Sequence, residues 1–348
     1  MSLKAGTDDK GKSAPEATPS ASVILISSIN EVLLLQRTKT SSSFPSAHVF
    51  PGGNLDLQDG ECPPQGDPKR HEDSIVYRRA ALRELFEETG ILLARDKTSG
   101  NMMMIDENKR NEGRKAIHSQ SISFLEWLKK ENNGLTMEPD TGISTTLFLF
   151  FFSILIILEE NLIPFTRWVT PYGVPHRYTT QMYLYFLPIP HDHEQGLDTE
   201  MPIHPYHDGG VEITDARFLE SSEWLRKARA GQVKLLPPQH FLLSVASQFL
   251  DTWTRSRQSL VALRRQRRKL QQFLNAGSPP WTHICISPTI ERVLSDGRAL
   301  VRLDKPGPEL EGSDRSGVKD RVMLVKFGKA GPSDFEIILK EDIDKSKI

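Results

Sequence analysis

Three glutamates, Glu84, Glu87 and Glu88, sit in the run Arg83-Glu84-Leu85-Phe86-Glu87-Glu88-Thr89-Gly90-Ile91. On a helix turning about 100° per residue they fall within one narrow arc, while Ile75, Leu82, Leu85 and Phe86 lie on the other side. Like charges one turn apart repel, so the arrangement is unfavourable unless a cation joins them. A hard divalent ion, which prefers oxygen ligands, turns the same crowding into a binding site. A solvated acidic face is the plainer reading of such a helix, and the residues around it decide between the two.

The elements that must position this face follow from pattern. Residues 21–37 hold two apolar runs, SVILIS and EVLLLQR, around Ser28-Ile29-Asn30, which predicts a hairpin of buried strands. His48-Val49-Phe50-Pro51-Gly52-Gly53 reads as a short strand ending in a glycine pair, followed by a polar loop over residues 54–72. A helix is predicted over residues 73–89 with Gly90 as its stop. Further helices are expected over residues 121–130, 222–230 and 238–273, and strands over 181–188 and 217–220. From Trp281 onward ALVRL and VMLVKF alternate with turn residues, predicting a small β extension.

The glycine pair and the acidic helix together resemble the Nudix box, G-x5-E-x7-R-E-U-x-E-E-x-G-U with U aliphatic. Gly53, Arg83, Glu84, Leu85, Glu87, Glu88, Gly90 and Ile91 match it in order. The spacing between Gly53 and Arg83 is much longer than the pattern's. Counted back from Arg83, the first glutamate falls on Ile75, leaving that role vacant or to Glu72 or Asp73. The insertion, with VLLLQR, FTRWVTP, PHRYTTQMYLYFLP and LLPPQ, is similar to the peroxisomal coenzyme A and acyl-coenzyme A diphosphatase branch of that superfamily.

That resemblance implies an α/β/α sandwich with a mixed sheet, plus helical and small β extensions at the C-terminal end. It divides the chain into a disordered arm (1–20), a hydrolase domain (21–275) and a β extension with tail (276–348). It also implies hydrolysis of a phosphoanhydride with Mg²⁺ or Mn²⁺ held by Glu84, Glu87, Glu88 and the Gly53 carbonyl. Arg83 is then expected to fix a glutamate rotamer, and either Glu84 or Glu212 to be the general base. Arg37, Gly52 and Gly53 are expected at the substrate. Arg167 and Arg177 either grip phosphates or make ordinary pairs. The alternatives are a broader pyrophosphatase acting on ADP-ribose or NADH, and a catalytically silent binding module.

Other features weigh less. Lys and Arg total 44 against 45 for Asp and Glu, so no global field favours nucleic acid, and the basic run over residues 255–269 reads as a solvated helix face. Trp168 and Tyr178 are stacking residues or, more ordinarily, core. His191, His193, His204 and His207 lie in an acidic loop without a cysteine to complete a zinc site. Cys62 and Cys285 are expected as free thiols. The run LFLFFFSILIIL within residues 142–159 is too short to span a bilayer and reads as a retained-intron insertion. The final Ser346-Lys347-Ile348 resembles the Ser-Lys-Leu peroxisomal address, implying the import receptor as a partner and a peroxisomal location, with a cytoplasmic one as the alternative.

Overall fold

A computed structural model describes residues 16–41, 44–96, 105–131, 137–139, 162–174, 176–189, 213–251, 259–328 and 331–343. Glu212, residues 142–159, the four loop histidines and residues 346–348 lie outside these.

The expected hairpin is the centre of the fold. β1 (Thr18–Ile26) and β2 (Val32–Arg37) pair antiparallel, closed where Ile26 meets Val32. β1 begins at Thr18, inside the arm drawn at residues 1–20, because it runs parallel to β8 (Tyr178–Phe186) from its first residue. Around this pair lie β3 (His48–Val49) and β9 (Ile213–Leu219) on β2, and β4 (Gly52–Asn54) on β1. β7 (Ile163–Val169) pairs antiparallel with β8, and β10 (Cys285–Ile286) pairs parallel with β7. Two parallel pairings among antiparallel ones make the sheet mixed, as expected. A separate two-stranded ribbon joins β5 (Ala94–Asp96) and β6 (Met137–Pro139).

Alternation along β1 builds two cores, since successive side chains point to opposite faces. Ala21, Val23 and Leu25 share one cluster with Tyr77, Leu85 and Phe86 of α1 (Ile75–Thr89) and with Ile117, Phe124 and Trp127. The last three come from α2 (Glu107–His118) and α3 (Phe124–Glu131). Ile24 and Ile26 face the other way, against α4 (Ser221–Arg229), α5 (Pro237–Leu250) and α6 (Leu260–Asn275). The sheet is therefore sandwiched between two helical layers.

Two expectations change on this side. The helix predicted over residues 238–273 is two helices, because Asp251 leaves the helical path and its carboxylate accepts the Ser221 and Ser222 N–H groups at 3.1 and 2.6 Å. It thereby caps the N-terminus of α4. Arg267, read as part of a solvated face, is 1% exposed. It donates to Asn30 Oδ1 (2.8 Å) and to the carbonyls of Leu187 (2.8 Å) and Ser27 (2.7 Å), tying α6 to the β1–β2 turn.

The β extension is an antiparallel sheet of β11 (Thr289–Val293), β12 (Ala299–Arg302), β13 (Arg321–Gly328) and β14 (Gly331–Leu339). Ala299, Val301, Met323 and Val325 enter the same core as α5 and α6, so the extension is continuous with the main body.

Candidate functional site

α1 ends as predicted: Gly90 adopts the left-handed conformation at φ 72° and its N–H bonds the Phe86 carbonyl at 2.8 Å. Arg114 of α2 donates to the carbonyls of Glu87 (2.9 Å) and Glu88 (3.0 Å), filling acceptors that the helix end leaves open. Apolar Leu82, Leu85 and Phe86 anchor the other side in the core, which aims the glutamate face at β4.

The glutamates then meet the glycine pair. A Cβ on Gly53 would lie 2.6 Å from both Glu84 carboxylate oxygens, so any larger residue there pushes the Glu84 carboxylate aside. Glu88 Oε2 accepts the Gly52 N–H at 2.9 Å. Glu84 Oε1 and Glu87 Oε1 converge on Arg83 Nη1 at 2.8 and 2.9 Å, the pairing expected of that arginine. His118 Nδ1 stands 3.3 Å from Glu87 Oε2. Burial, with the Glu87 charge adding to it, pushes the Glu84 carboxyl up to about 7.

Asp59 is the acidic residue beside the glutamate face that the backward count missed. It is 2% exposed, and its two carboxylate oxygens accept from Arg83 Nε and Nη2, both at 2.9 Å. Neither Glu72 nor Asp73 has this position: Asp73 pairs instead with Arg78 and accepts the Tyr183 hydroxyl. Counted forward from Gly53, the first acidic position of the box pattern falls on Asp59, so the signal was present. The extra residues lie after it, before α1 begins.

Among the described residues no three acidic or histidine side chains converge on one point. The donor set still suits a hard divalent cation: three neighbouring carboxylates, one of them raised by burial, beside the Gly53 backbone. A bound cation relieves that carboxylate crowding.

The remaining expected residues are spread more widely. Arg37 donates through Nε and Nη2 to the Ser41 hydroxyl at the edge of β2. Arg177 makes an ordinary pair, one of its two expected roles: its side chain is 1% exposed and donates through Nη2 to Glu309 Oε2 (2.9 Å) and through Nε to the Thr170 carbonyl (3.0 Å). Arg167 is also buried, over the N-terminal end of α1, where its Nη2 donates to the Glu72 carbonyl at 3.1 Å. Trp168 is core, packed edge-on against Phe241. Cys62 and Cys285 are free thiols.

Residues 16–145 match the family model of the NUDIX domain. The chain is 28% identical over 244 residues to a Caenorhabditis elegans protein described as putative Nudix hydrolase 7, the match covering 69% of this chain. It spans 64% of the length of that curated relative. Among solved structures, the Nudix hydrolase from Alicyclobacillus acidocaldarius superposes with a TM-score of 0.48 at 19% identity, covering 69% of this chain and 95% of that one. A binary complex of C. elegans Ap4A hydrolase gives 0.29 at 15% identity, covering 67% and 98%.

Proposed function

This chain carries a NUDIX domain in residues 16–145, and from that premise we propose that it is a hydrolase of phosphoanhydride bonds in nucleoside-diphosphate derivatives. The observation that carries the reading is the bond network of the glutamate face. One buried arginine holds Asp59, Glu84 and Glu87 together, while Glu88 is bonded to the glycine pair that faces them.

In this reading Glu84, Glu87, Glu88 and the Gly53 carbonyl hold Mg²⁺ or Mn²⁺. When bound, the ion neutralises diphosphate oxygens and lowers the barrier to attack by water. The chain's own residues do the rest. Arg83, kept charged by its carboxylate partners, fixes the Glu84 and Glu87 rotamers. Arg114 ties the helix end to α2, Gly90 closes it, and Glu88 bonds it to β4. A water oxygen attacks one phosphorus, the bridging P–O bond breaks, and a carboxylate takes the water's proton. Glu84 and Glu212 are the two carboxylates for that last role, and comparing pH–rate profiles of Glu84→Gln and Glu212→Gln separates them.

The substrate class we favour is coenzyme A or acyl-coenzyme A, giving adenosine 3′,5′-bisphosphate and the (acyl-)phosphopantetheine. VLLLQR, FTRWVTP, LLPPQ and the insertion before the helix support it. Incubation of the purified protein with coenzyme A, an acyl-coenzyme A, ADP-ribose, NADH and nucleoside triphosphates, with products weighed by mass spectrometry, tests it. Preferential turnover of ADP-ribose or NADH makes the broader pyrophosphatase reading correct, and turnover of none makes the chain a silent binding module. A peroxisomal location belongs to the same reading, since that compartment handles acyl-coenzyme A. An N-terminal fluorescent fusion, compared with and without residues 346–348, tests it, and diffuse signal from both overturns it.

A further inference from the structure

The insertion after Asp59 and the C-terminal extension meet over β7 and β8, and between them lies a cavity of about 330 Å³. A volume of that order suits one small ligand or one end of a larger one. Its lining combines His71, Glu72 and Asp73 from the insertion with Thr282, His283 and Arg315 from the extension, while Arg167 and Gln181 come from the sheet.

Arg167 is the feature that asks for a ligand. It is 4% exposed, and its partners are the Thr179 hydroxyl (3.1 Å), the Glu72 carbonyl (3.1 Å) and Tyr77, over whose ring it lies at 4.5 Å. Every one of these is neutral. A buried guanidinium without an anion is costly, and the cost falls if the cavity admits one.

The neighbouring acids do not fill this role. Asp73 is claimed by Arg78 (3.1 and 2.5 Å) and by the Tyr183 hydroxyl (2.5 Å), and Glu72 is exposed. Cys285, beside Arg167 in register, stays a neutral thiol because burial pushes it up to about 12. Burial, with Arg167 adding to it, lowers His71 to about 4, so it too is neutral. A second cation, Arg315, stands half-buried in the lining, with only a long bond from Nη1 to the His283 carbonyl (3.4 Å). Two guanidiniums beside the Thr282 hydroxyl match a phosphate better than a planar carboxylate.

From these residues we infer that the cavity is a phosphomonoester-binding site, distinct from the glutamate face. Its place relative to that face is set by register: Gly53 pairs with Ala21, Ala21 with Gln181, and Gln181 with Arg167. Three strand spacings separate the two sites, roughly 14 Å. Side-chain reach from both ends shortens the gap, so one nucleotide carrying both a diphosphate and a second phosphate can occupy both. The phosphate is either that second group, such as the 3′-phosphate of coenzyme A, or a separate small anion.

Calorimetric titration of the full chain with inorganic phosphate, without added divalent cation, tests the site. We expect binding that weakens roughly tenfold or more in Arg167→Gln and in Arg315→Gln, and that persists in Glu87→Gln. Circular dichroism melts check folding; Arg315 is half-exposed, so its variant decides the matter if Arg167→Gln does not fold. Absence of phosphate binding by the wild type at millimolar concentration overturns the inference, as does equal binding by folded wild type and variants.

The source is read from KM for coenzyme A against 3′-dephospho-coenzyme A. A lower KM for coenzyme A that Arg315→Gln abolishes assigns the site to the substrate's own phosphate. Equal KM values with phosphate still bound assign it to a separate anion. This second arm rests on the coenzyme A reading; if neither compound is hydrolysed that reading fails, while the calorimetry still decides the site.

Discussion

Arg83 and Asp59, 24 residues apart, form a two-bond ion pair buried beneath the glutamate face, Nε to Oδ1 and Nη2 to Oδ2 at 2.9 Å each. Removing one partner of a buried pair leaves the other uncompensated. Asp59→Ala is expected to destabilise the fold by about 3–5 kcal/mol, read by urea denaturation. It should also lower turnover, since Arg83 loses the anchor that aims Glu84 and Glu87. A variant as stable and as active as wild type contradicts this role.

Glu87→Gln and Glu88→Gln should each lower the rate by roughly a hundredfold, about 3 kcal/mol of transition-state stabilisation, through lost metal ligation. The fold should survive, because the amide that replaces the Glu88 carboxylate keeps an oxygen able to accept the Gly52 N–H. Turnover in excess chelator, with and without restored Mg²⁺ or Mn²⁺, checks the metal requirement directly.

For the Arg177–Glu309 pair the expectation is structural. Arg177→Ala and Glu309→Ala should each destabilise by about 3–5 kcal/mol and combine non-additively, because they break the same buried bridge. KM should stay near the wild-type value in both. A large KM increase with unchanged stability restores the phosphate-gripping role for Arg177.

Acid sensitivity follows from three histidines. Burial lowers His48, His71 and His240 to about 4, each below the ordinary 6.5. Below pH 6.5 the unfolded chain takes up protons that the folded chain refuses until about pH 4. These residues therefore withdraw stability as pH falls through that window and cost nothing above it. His240 stacks on Phe335 with centroids 4.6 Å apart, and its buried Nδ1 has no partner. His240→Phe should keep the stack and flatten part of the slope of melting temperature against pH between 6.5 and 4. An unchanged slope removes His240 from the account.

Deleting residues 142–159 should leave a soluble, active enzyme if the apolar run is an intron-derived insertion. Expression of the shortened chain, alongside sequencing of the spliced transcript, decides this. Loss of folding makes the run a core element.

Local periodicity in the sequence alone determined the glutamate face, the Gly90 stop and the β1–β2 hairpin, because each signal lies within one element. A helix repeats every few residues and a strand every second one, so neighbours in sequence are enough to place them. Asp59 lay one step further off, legible only when the pattern is counted forward from Gly53 across an insertion that shifts the helix. What tertiary structure decided were partnerships between distant residues. Arg177 meets Glu309 across 132 positions, and Arg267 meets Ser27 across 240. The same arginine type was open to surface pairing, phosphate gripping or burial. Only strand register and the folding of the C-terminal extension onto the sheet selected among these, by bringing an acid to Arg177, backbone carbonyls to Arg267, and to Arg167 a cavity shared by the insertion and the extension.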